Sequence, residues 1–578
     1  MLVEAGVSLR VDRQKNGAPS ETGNAISIVD QGLGNIMYGS MFTGFTSDTN
    51  YGDFGNQGAW QSRASVSYIT GSHALKVGYY AMTGKNQQLF LQPIHNEQYR
   101  FSNGVPNQIT QVATPHSQFQ NLDIDLGIYA QDTWTIDQLT LNLGVRFDHL
   151  RGSVPAQTRL AGKYTPAFSF DAVGDVPNFK DISPRLGAAY DLFGNGKTAI
   201  KTSLGRYVNY ISTQLTKNNN PAARIAGTAN RPWSDANSDY IPDCDLTLTT
   251  ANGECGALSN QLFGSLIPTV DSADDVLRGW YNRPYNWQFN VALQQELAPG
   301  VSLEFIYFRT WFGNQTVTDD LNLGPADFDQ YSYTVPTNDL LRGGGGNVLT
   351  GLFDVKPEKF LQQGVDTPIV QADGFTDAYN GIQLSLNARF GDGGLLQGGF
   401  STGRTTTNEC NNPDTPGAQF CETTVPWAAA TQVKFTGSYP LPYGFQASAT
   451  VQNLPGRCVS GGFFACGFGP AIGIDLFFNT TLGRLPSSGN PIVVINLAAA
   501  ETIREDRYTV LDIRLSKRWQ VGNVRIQPNI DIYNLLNAAP PFVQNAIYLN
   551  FDPTGGGYRD VKEIGIGRFV KFGMQVDF

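Results

Sequence analysis

Apolar and polar side chains alternate along much of this chain with a period of two. Leu139, Leu141, Leu143, Val145 and Phe147 interleave with Thr140, Asn142, Gly144, Arg146 and Asp148. The same rhythm runs through Ile382 to Phe390, Phe445 to Gln452 and Leu511 to Ser516. It closes the chain, where Phe572, Met574, Val576 and Phe578 alternate with Lys571, Gly573, Gln575 and Asp577. Period two predicts strands with one hydrocarbon face and one face able to hydrogen-bond.

Tight-turn chemistry separates these strands near Gly71, Asp137-Gln138, Gly194-Asn195-Gly196, Pro299-Gly300, Gly391 to Gly394, Pro440 to Gly444 and Gly522-Asn523. Gly, Asn and Asp supply the positive φ that such turns need. Between hairpins the connections are long, over about 13–60, 84–118, 152–182, 209–284, 311–378, 405–430, 453–506 and 534–560. Seven hairpins and one strand at each end predict about 16 strands. Short turns at one end and long loops at the other are the pattern of an outer-membrane barrel. The expected fold is therefore all-β: a transmembrane antiparallel β-barrel over residues 1–578, with long extracellular loops.

Strand parity places Arg146, Arg389, Gln446, Asp512 and Arg514 on the lumen side. Two residues break the pattern. Asp132 falls on the apolar parity of its strand, and Pro528 sits inside an otherwise good strand. Tyr129, Trp134, Tyr190, Tyr207, Trp287, Tyr307, Tyr439, Tyr443 and Trp519 fall near expected strand ends, where amphipathic rings suit the headgroup level.

Composition is compatible with this reading. Only 16% of residues are charged, 12% are aromatic, and mean hydropathy is −0.23. No run of about 18 apolar residues predicts a membrane helix. A large extracellular β protein would share these values. The net charge of −10 argues against nucleic acid, which needs a basic surface. The opening residues, Met1 to Gly6, have neither the basic start nor the apolar core of a secretory signal. The expectation is a mature form, or a chain whose front is missing.

The six cysteines form three local couples in outer loops: Cys244 with Cys255, Cys410 with Cys421, and Cys458 with Cys466. Even number and close spacing predict disulfides in an oxidising compartment. No Cys-x-x-Cys occurs, and the four histidines lie far from these couples in sequence, which disfavours a metal site. One loop carries Asp235, Asn237, Asp239, Asp243 and Asp245. Oxygen side chains at this spacing suit Ca²⁺, although Tyr240 replaces the turn Gly of an EF-hand and Leu246 its bidentate Glu. A solvated acidic loop is the alternative. No other cofactor is expected. Gly194 to Thr198 mimics the end of a phosphate loop, but no helix pattern follows and a hairpin turn explains it. His73, His95, His116 and His149 stand near no Gly-x-Ser-x-Gly or His-Glu-x-x-His motif, so no catalytic residue is expected.

The terminal strand resembles the C-terminal insertion signal of bacterial outer-membrane barrels through Lys571, Gly573, Val576 and Phe578. Ile128 to Trp134 followed by Leu139 to Asp148 resembles the YxQDxW…LTLNxGxRxD hairpin of TonB-dependent outer-membrane receptors. Ile532 to Asn537 resembles their NLLN segment, and Ser183 to Asp191 points to the Oar-like branch. The resemblance implies a barrel of about 22 strands in the whole receptor. It also implies an N-terminal plug, a TonB contact through that plug, and often a carboxypeptidase-regulatory-like domain in front. None of these segments is recognisable here, so the chain reads as the C-terminal barrel portion of such a receptor. The implied partners are outer-membrane lipid, the barrel assembly machinery, the TonB complex and an unidentified transported ligand. A passive porin-like or structural surface barrel is the competing function.

Overall fold

The computed structural model describes residues 1–16, 25–30, 36–39, 52–90, 95–211, 213–266, 272–335, 337, 344–363, 366–391, 393–456, 471–475, 481–484, 487, 492–497, 499, 504–544, 547–548 and 561–578. Sixteen long strands carry the fold. They are β1 (Leu2–Asp12), β2 (Gly52–Thr70), β3 (His73–Phe90), β4 (His116–Ile136), β5 (Leu139–Ser153), β6 (Asn178–Asp191), β7 (Thr198–Val208) and β8 (Tyr285–Ala298), followed by β9 (Val301–Gly313), β10 (Thr376–Phe390), β11 (Gly394–Asn408), β12 (Gln432–Leu441), β13 (Phe445–Leu454), β14 (Tyr508–Lys517), β15 (Val524–Tyr533) and β16 (Phe569–Asp577). Each pairs antiparallel with the next, making one continuous wall from β1 to β16. Among the described residues no ladder joins β16 back to β1.

The seven tight turns fall where their chemistry predicts. Asp137 (φ 48°), Gly300 (φ 80°) and Tyr443 (φ 63°) occupy the left-handed region. Strand length departs from expectation. β2, β3 and β4 run for 19, 18 and 21 residues, against about 9–11 needed to cross a bilayer. Their upper parts fall in stretches that composition assigned to loops. There Asn86 and Gln88 pair with Gln120 and Gln118. With no hydrocarbon to meet, the period-two signal vanishes while the backbone ladder continues.

The wall is inverted relative to a soluble sandwich. On β5, Val145 is 49% exposed, whereas Asp148 on the opposite face is 5% exposed. Leu384 on β10 faces outward beside Phe305 on β9, and both are exposed. Hydrocarbon looks out and polar groups look in, as lipid on one side and a wet lumen on the other require.

The two departures in the sequence have local explanations. Asp132 does lie on the outward face, where its Oδ2 stands 2.6 Å from His73 Nδ1. Trp134 stacks on the same imidazole at 5.2 Å, so the carboxylate is paired beneath an aromatic lid. Pro528 has no N–H to give. The β14–β15 ladder stops at Ser516–Asn529 and resumes at Trp519–Ile526, skipping that proline. Pro184 acts similarly on β6. Its pairing with β7 ends at Arg185–Gly205, and above it Asn178–Lys180 takes Arg278–Trp280 as a parallel partner.

The aromatic girdle is smaller than the sequence suggests. Trp134, Tyr190, Tyr439 and Trp519 point outward near the turn end, opposite His73, Leu139, Ala447 and Ile526. Tyr129 and Tyr207 share the inward parity with Arg146 and Arg185 instead, and Arg185 lies 4.6 Å over the Tyr207 ring. Distance from a strand end does not fix parity.

The loops fold into caps. One is a five-stranded sheet of Thr228–Pro232, Val105–Val112, Glu97–Ser102, Ser27–Asp30 and Ile36–Tyr38. It is packed by Ile109, Trp233 and Cys255 on one cluster and Ala113, Ala229, Leu258 and Phe263 on another. A second cap pairs Phe328–Thr334 with Val348–Val355 around Tyr331, Tyr333, Leu349 and Leu352.

A charge on the two faces of one strand separates lipid from lumen. Leu384→Arg is expected to cost about 2–4 kcal/mol, and Gln383→Arg, one residue away on the inner face, within about 0.5 kcal/mol. Denaturant unfolding of both variants in lipid vesicles checks the difference.

Candidate functional site

Near the loop end of the wall, charges from several staves gather. Arg146 on β5 places Nε 2.7 Å from Asp148 Oδ1. Its guanidinium lies where a side chain at position 127 would stand, so only the absence of a Cβ at Gly127 on β4 leaves room. Arg206 at the top of β7 pairs with Asp181 on β6 at 2.8 Å, close as an ion pair but not aligned as a hydrogen bond. Both are almost fully buried. Tyr285 and Tyr281 lie under the same guanidinium at 4.3 and 5.1 Å. Arg283 donates from Nε to the Asn209 carbonyl at 2.7 Å. The break at Pro184 makes this arrangement: it lets the 278–283 segment dock against β6 and carries Tyr281 and Arg283 to the mouth.

Farther along the wall, Arg514 on β14 grips Asp531 on β15 with Nε and Nη2 at 2.5 and 3.0 Å. Asn529 adds a hydrogen bond of 2.9 Å to the same carboxylate. Such bidentate, charge-assisted contacts are about twice as strong as neutral ones. Asp512, on the same face, accepts the Asn534 N–H at 2.7 Å and so fixes the chain where β15 ends. Arg389 lines a 520 Å³ recess near the turn end with Gln294, Asn387 and Gln397. Gln446 stands opposite Ser516 on the polar face. The five lumen residues read from parity thus lie on one face, spread around the wall, and are not brought together into one site. On β16, Lys571 and Gly573 stand opposite Asp531 and Asn529 on the inner face, while Val576 stands opposite Ile526 on the outer face. Phe578 ends the chain fully exposed.

Sequence reasoning missed Asp181, Arg206, Arg283 and Gly127. Asp181 and Arg206 precede and follow a well-patterned hairpin, so each is legible as a strand residue. Nothing in their spacing announces the pairing, which depends on the ladder break between them.

In the loops the disulfides Cys244–Cys255 and Cys410–Cys421 are formed, with Cα separations of 5.8 and 4.7 Å. Cys458 and Cys466 lie outside the described residues. The acidic loop closes on itself. Asn237 Nδ2 donates to Asp239 Oδ2 and Asp243 Oδ2 at 3.1 and 3.0 Å. Asp235 accepts the N–H groups of Asp239 and Tyr240. Asp245 is turned away, accepting from Thr247 N–H and Oγ1 at 2.9 and 2.6 Å. Of the five oxygen residues expected to share a cation, Asp235, Asn237, Asp239 and Asp243 are linked by hydrogen bonds and Asp245 stands apart. An amide nitrogen sits between two carboxylates, and among the described residues no group of three or more acidic, His or Cys side chains is placed to hold a metal ion.

What ties this loop down is Glu254, which the sequence did not single out. It accepts the N–H groups of Ala236 and Asp243 at 2.8 and 3.2 Å. Arg231, wholly buried, donates to the carbonyls of Leu248, Thr250 and Gly256. The loop is a folded platform whose acidic side chains are mostly exposed.

Comparison with known proteins fixes the family. The model of the outer membrane β-barrel domain matches residues 5–463. The chain belongs to that family. The barrel resides in the outer membrane of a Gram-negative bacterium. It is 24% identical over 307 residues to the TonB-dependent transporter Oar of Myxococcus xanthus, covering 51% of this chain and 24% of that protein. Its fold is similar to that of the outer membrane transporter YddB from Escherichia coli, with a TM-score of 0.51 at 12% identity. That similarity covers 99% of this chain and 60% of the transporter. The barrel thus spans about a quarter of the length of the curated relative and three fifths of the solved one.

Two outcomes follow from this geometry. Removing the charge of Asp181 by Asp181→Asn leaves Arg206 buried without a counter-charge and is expected to cost about 3–5 kcal/mol, measured by denaturant unfolding. Hydrogen bonds from backbone N–H groups hold Glu254 below the usual carboxylate range, and the side-chain and backbone bonds of Thr247 do the same for Asp245. A depressed folded pKa stabilises above the unfolded value and loses that contribution as pH falls through the folded one. The platform is expected to loosen as pH drops below about 4. Fluorescence of Trp233, isolated by comparison with Trp233→Phe, reports the transition.

Proposed function

We propose that this barrel is the ligand-receiving wall of a TonB-dependent transporter. The observation that carries the reading is the combination of a hydrocarbon-faced antiparallel wall with a charged interior under folded loop caps. A passive pore gains nothing from disulfide-tied platforms over its mouth. A receptor does, because ordered loops lose less entropy when they close on a ligand. Family membership and the similarity to Oar support the same reading.

In this reading the caps take up a ligand, Arg146 offers it charge at the mouth, and the buried Arg206–Asp181 pair braces the wall there. The ligand then passes along the polar face when the TonB complex acts on a plug inside the barrel. The wall itself performs no bond chemistry. Its part is to bind, orient and exclude lipid. Insertion would use the terminal strand as its signal to the barrel assembly machinery, with Lys571, Gly573, Val576 and Phe578 as the recognised positions.

Energy dependence separates transport from leakage. Cells producing the full-length protein should accumulate its ligand, identified by screening ferric siderophores, metal chelates, glycans and peptides. An uncoupler should collapse that accumulation to the level of cells lacking the protein. Uptake that persists unchanged with the uncoupler present would establish the passive-pore reading instead.

A further inference from the structure

The outer wall carries a groove across β11 to β15. Its floor is Gly437 on β12 with Ala447 and Ala449 on β13, neighbours that meet directly at Gly437–Ala449. One bank is Leu396, Phe435 and Tyr439, the other Ile513, Leu515 and Ile530. All stand on the outward parity shared with Leu384 and Val576. The groove holds 840 Å³, inside the about 300–1,000 Å³ range of small-molecule sites. Small floor residues between bulky banks make the depression.

At the turn end of the groove the chemistry changes. Lys517, directly opposite Phe445, lies on the outward face one step beyond Leu515. Its Nζ is 4.7 Å from the centre of the Phe445 ring and 5.0 Å from that of Trp519. Tyr439 stacks on Phe390 at 5.9 Å on the opposite bank. Among the described residues no carboxylate forms an ion pair with Lys517. An ammonium held between two rings on the lipid side, just past a hydrocarbon trough, has its stem in apolar surroundings and its head at the interface. In a barrel of this family the short turns are periplasmic, so this head stands at the headgroup level of the inner leaflet.

We propose that the groove is a binding site for one anionic glycerophospholipid of the inner leaflet. An acyl chain lies over Gly437, Ala447 and Ala449, and the phosphate is met by Lys517 between Phe445 and Trp519. Charge complementarity selects the occupant. A helical protein segment would fill the trough but bring no anion to Lys517. Lipopolysaccharide belongs to the opposite leaflet, above the long loops. The inference rests on the barrel reading, and its test separates the two.

The protein is purified from membranes in mild detergent, and native mass spectrometry counts bound lipid during titration with phosphatidylglycerol and with phosphatidylethanolamine. The expected result is one retained phospholipid with a preference for phosphatidylglycerol of about fivefold, the ratio expected from one basic residue near a lipid surface. Ala449→Trp, which fills the floor and still suits lipid, should abolish retention. Val145→Trp, outward on a distant stave, should not change it. Lys517→Gln should keep the lipid but erase the headgroup preference. Heat-dependent electrophoretic migration confirms that each variant is folded. Retention unaffected by Ala449→Trp, or an unchanged headgroup preference in Lys517→Gln, would overturn the site. A protein that fails to insert into vesicles at all would overturn the barrel reading beneath it.

Discussion

The backbone ladder is the constraint on which everything else rests. In hydrocarbon no water is present to satisfy an amide, so each peptide group of a spanning segment must find its partner in the next strand. Among the described residues, continuous antiparallel pairing from β1 to β16 meets that demand everywhere between the outer edges of those two strands. Once the ladder is fixed, strand geometry leaves a single choice per residue, in or out. The outer face then becomes hydrocarbon by default, and the inner face becomes free to carry charge. The Arg146–Asp148 and Arg514–Asp531 pairs are products of that freedom.

Where the ladder fails, the protein gains something. Pro184 removes one donor from β6, and the pairing with β7 stops just below it. The space is taken by Arg278–Trp280, which carries Tyr281 and Arg283 to the charged mouth. A deficit of one hydrogen bond thereby positions a loop of about 75 residues at its base. Pro528 interrupts the neighbouring ladder at the other end of the wall, with only two short segments on either side of it. In both places an edge-compatible residue marks a point where pairing changes hands.

The sequence made the wall legible because its two signals are strong and independent. Alternation gave the membrane-spanning parts of the staves, and Gly-, Asn- and Asp-bearing turns gave the hairpins and the count of sixteen. Arg146, Asp512 and Arg514 share the polar face of the ladder, since each lies deep in a patterned strand. What escaped was whatever depends on partners distant in the chain. The upper halves of β2 to β4 have polar residues on both faces, so they read as loop. Glu254 anchors residues 11 to 18 positions before it, and Arg231 reaches carbonyls 17 to 25 positions after it. No short motif encodes such contacts. In the acidic loop, whose spacing suits a cation, Asn237 donates to two carboxylates.

Strand β4, at 21 residues, is about twice as long as the bilayer demands. With the usual tilt of about 45° and a rise of about 3.3 Å per residue, the surplus lifts its upper end about 25 Å clear of the hydrocarbon. On the side of β2 to β4 the mouth of the lumen therefore stands well above the membrane plane, whereas β12 to β16, at 9–10 residues, end close to it. A bulky visitor, even a folded polypeptide, meets the platforms before it meets any lipid.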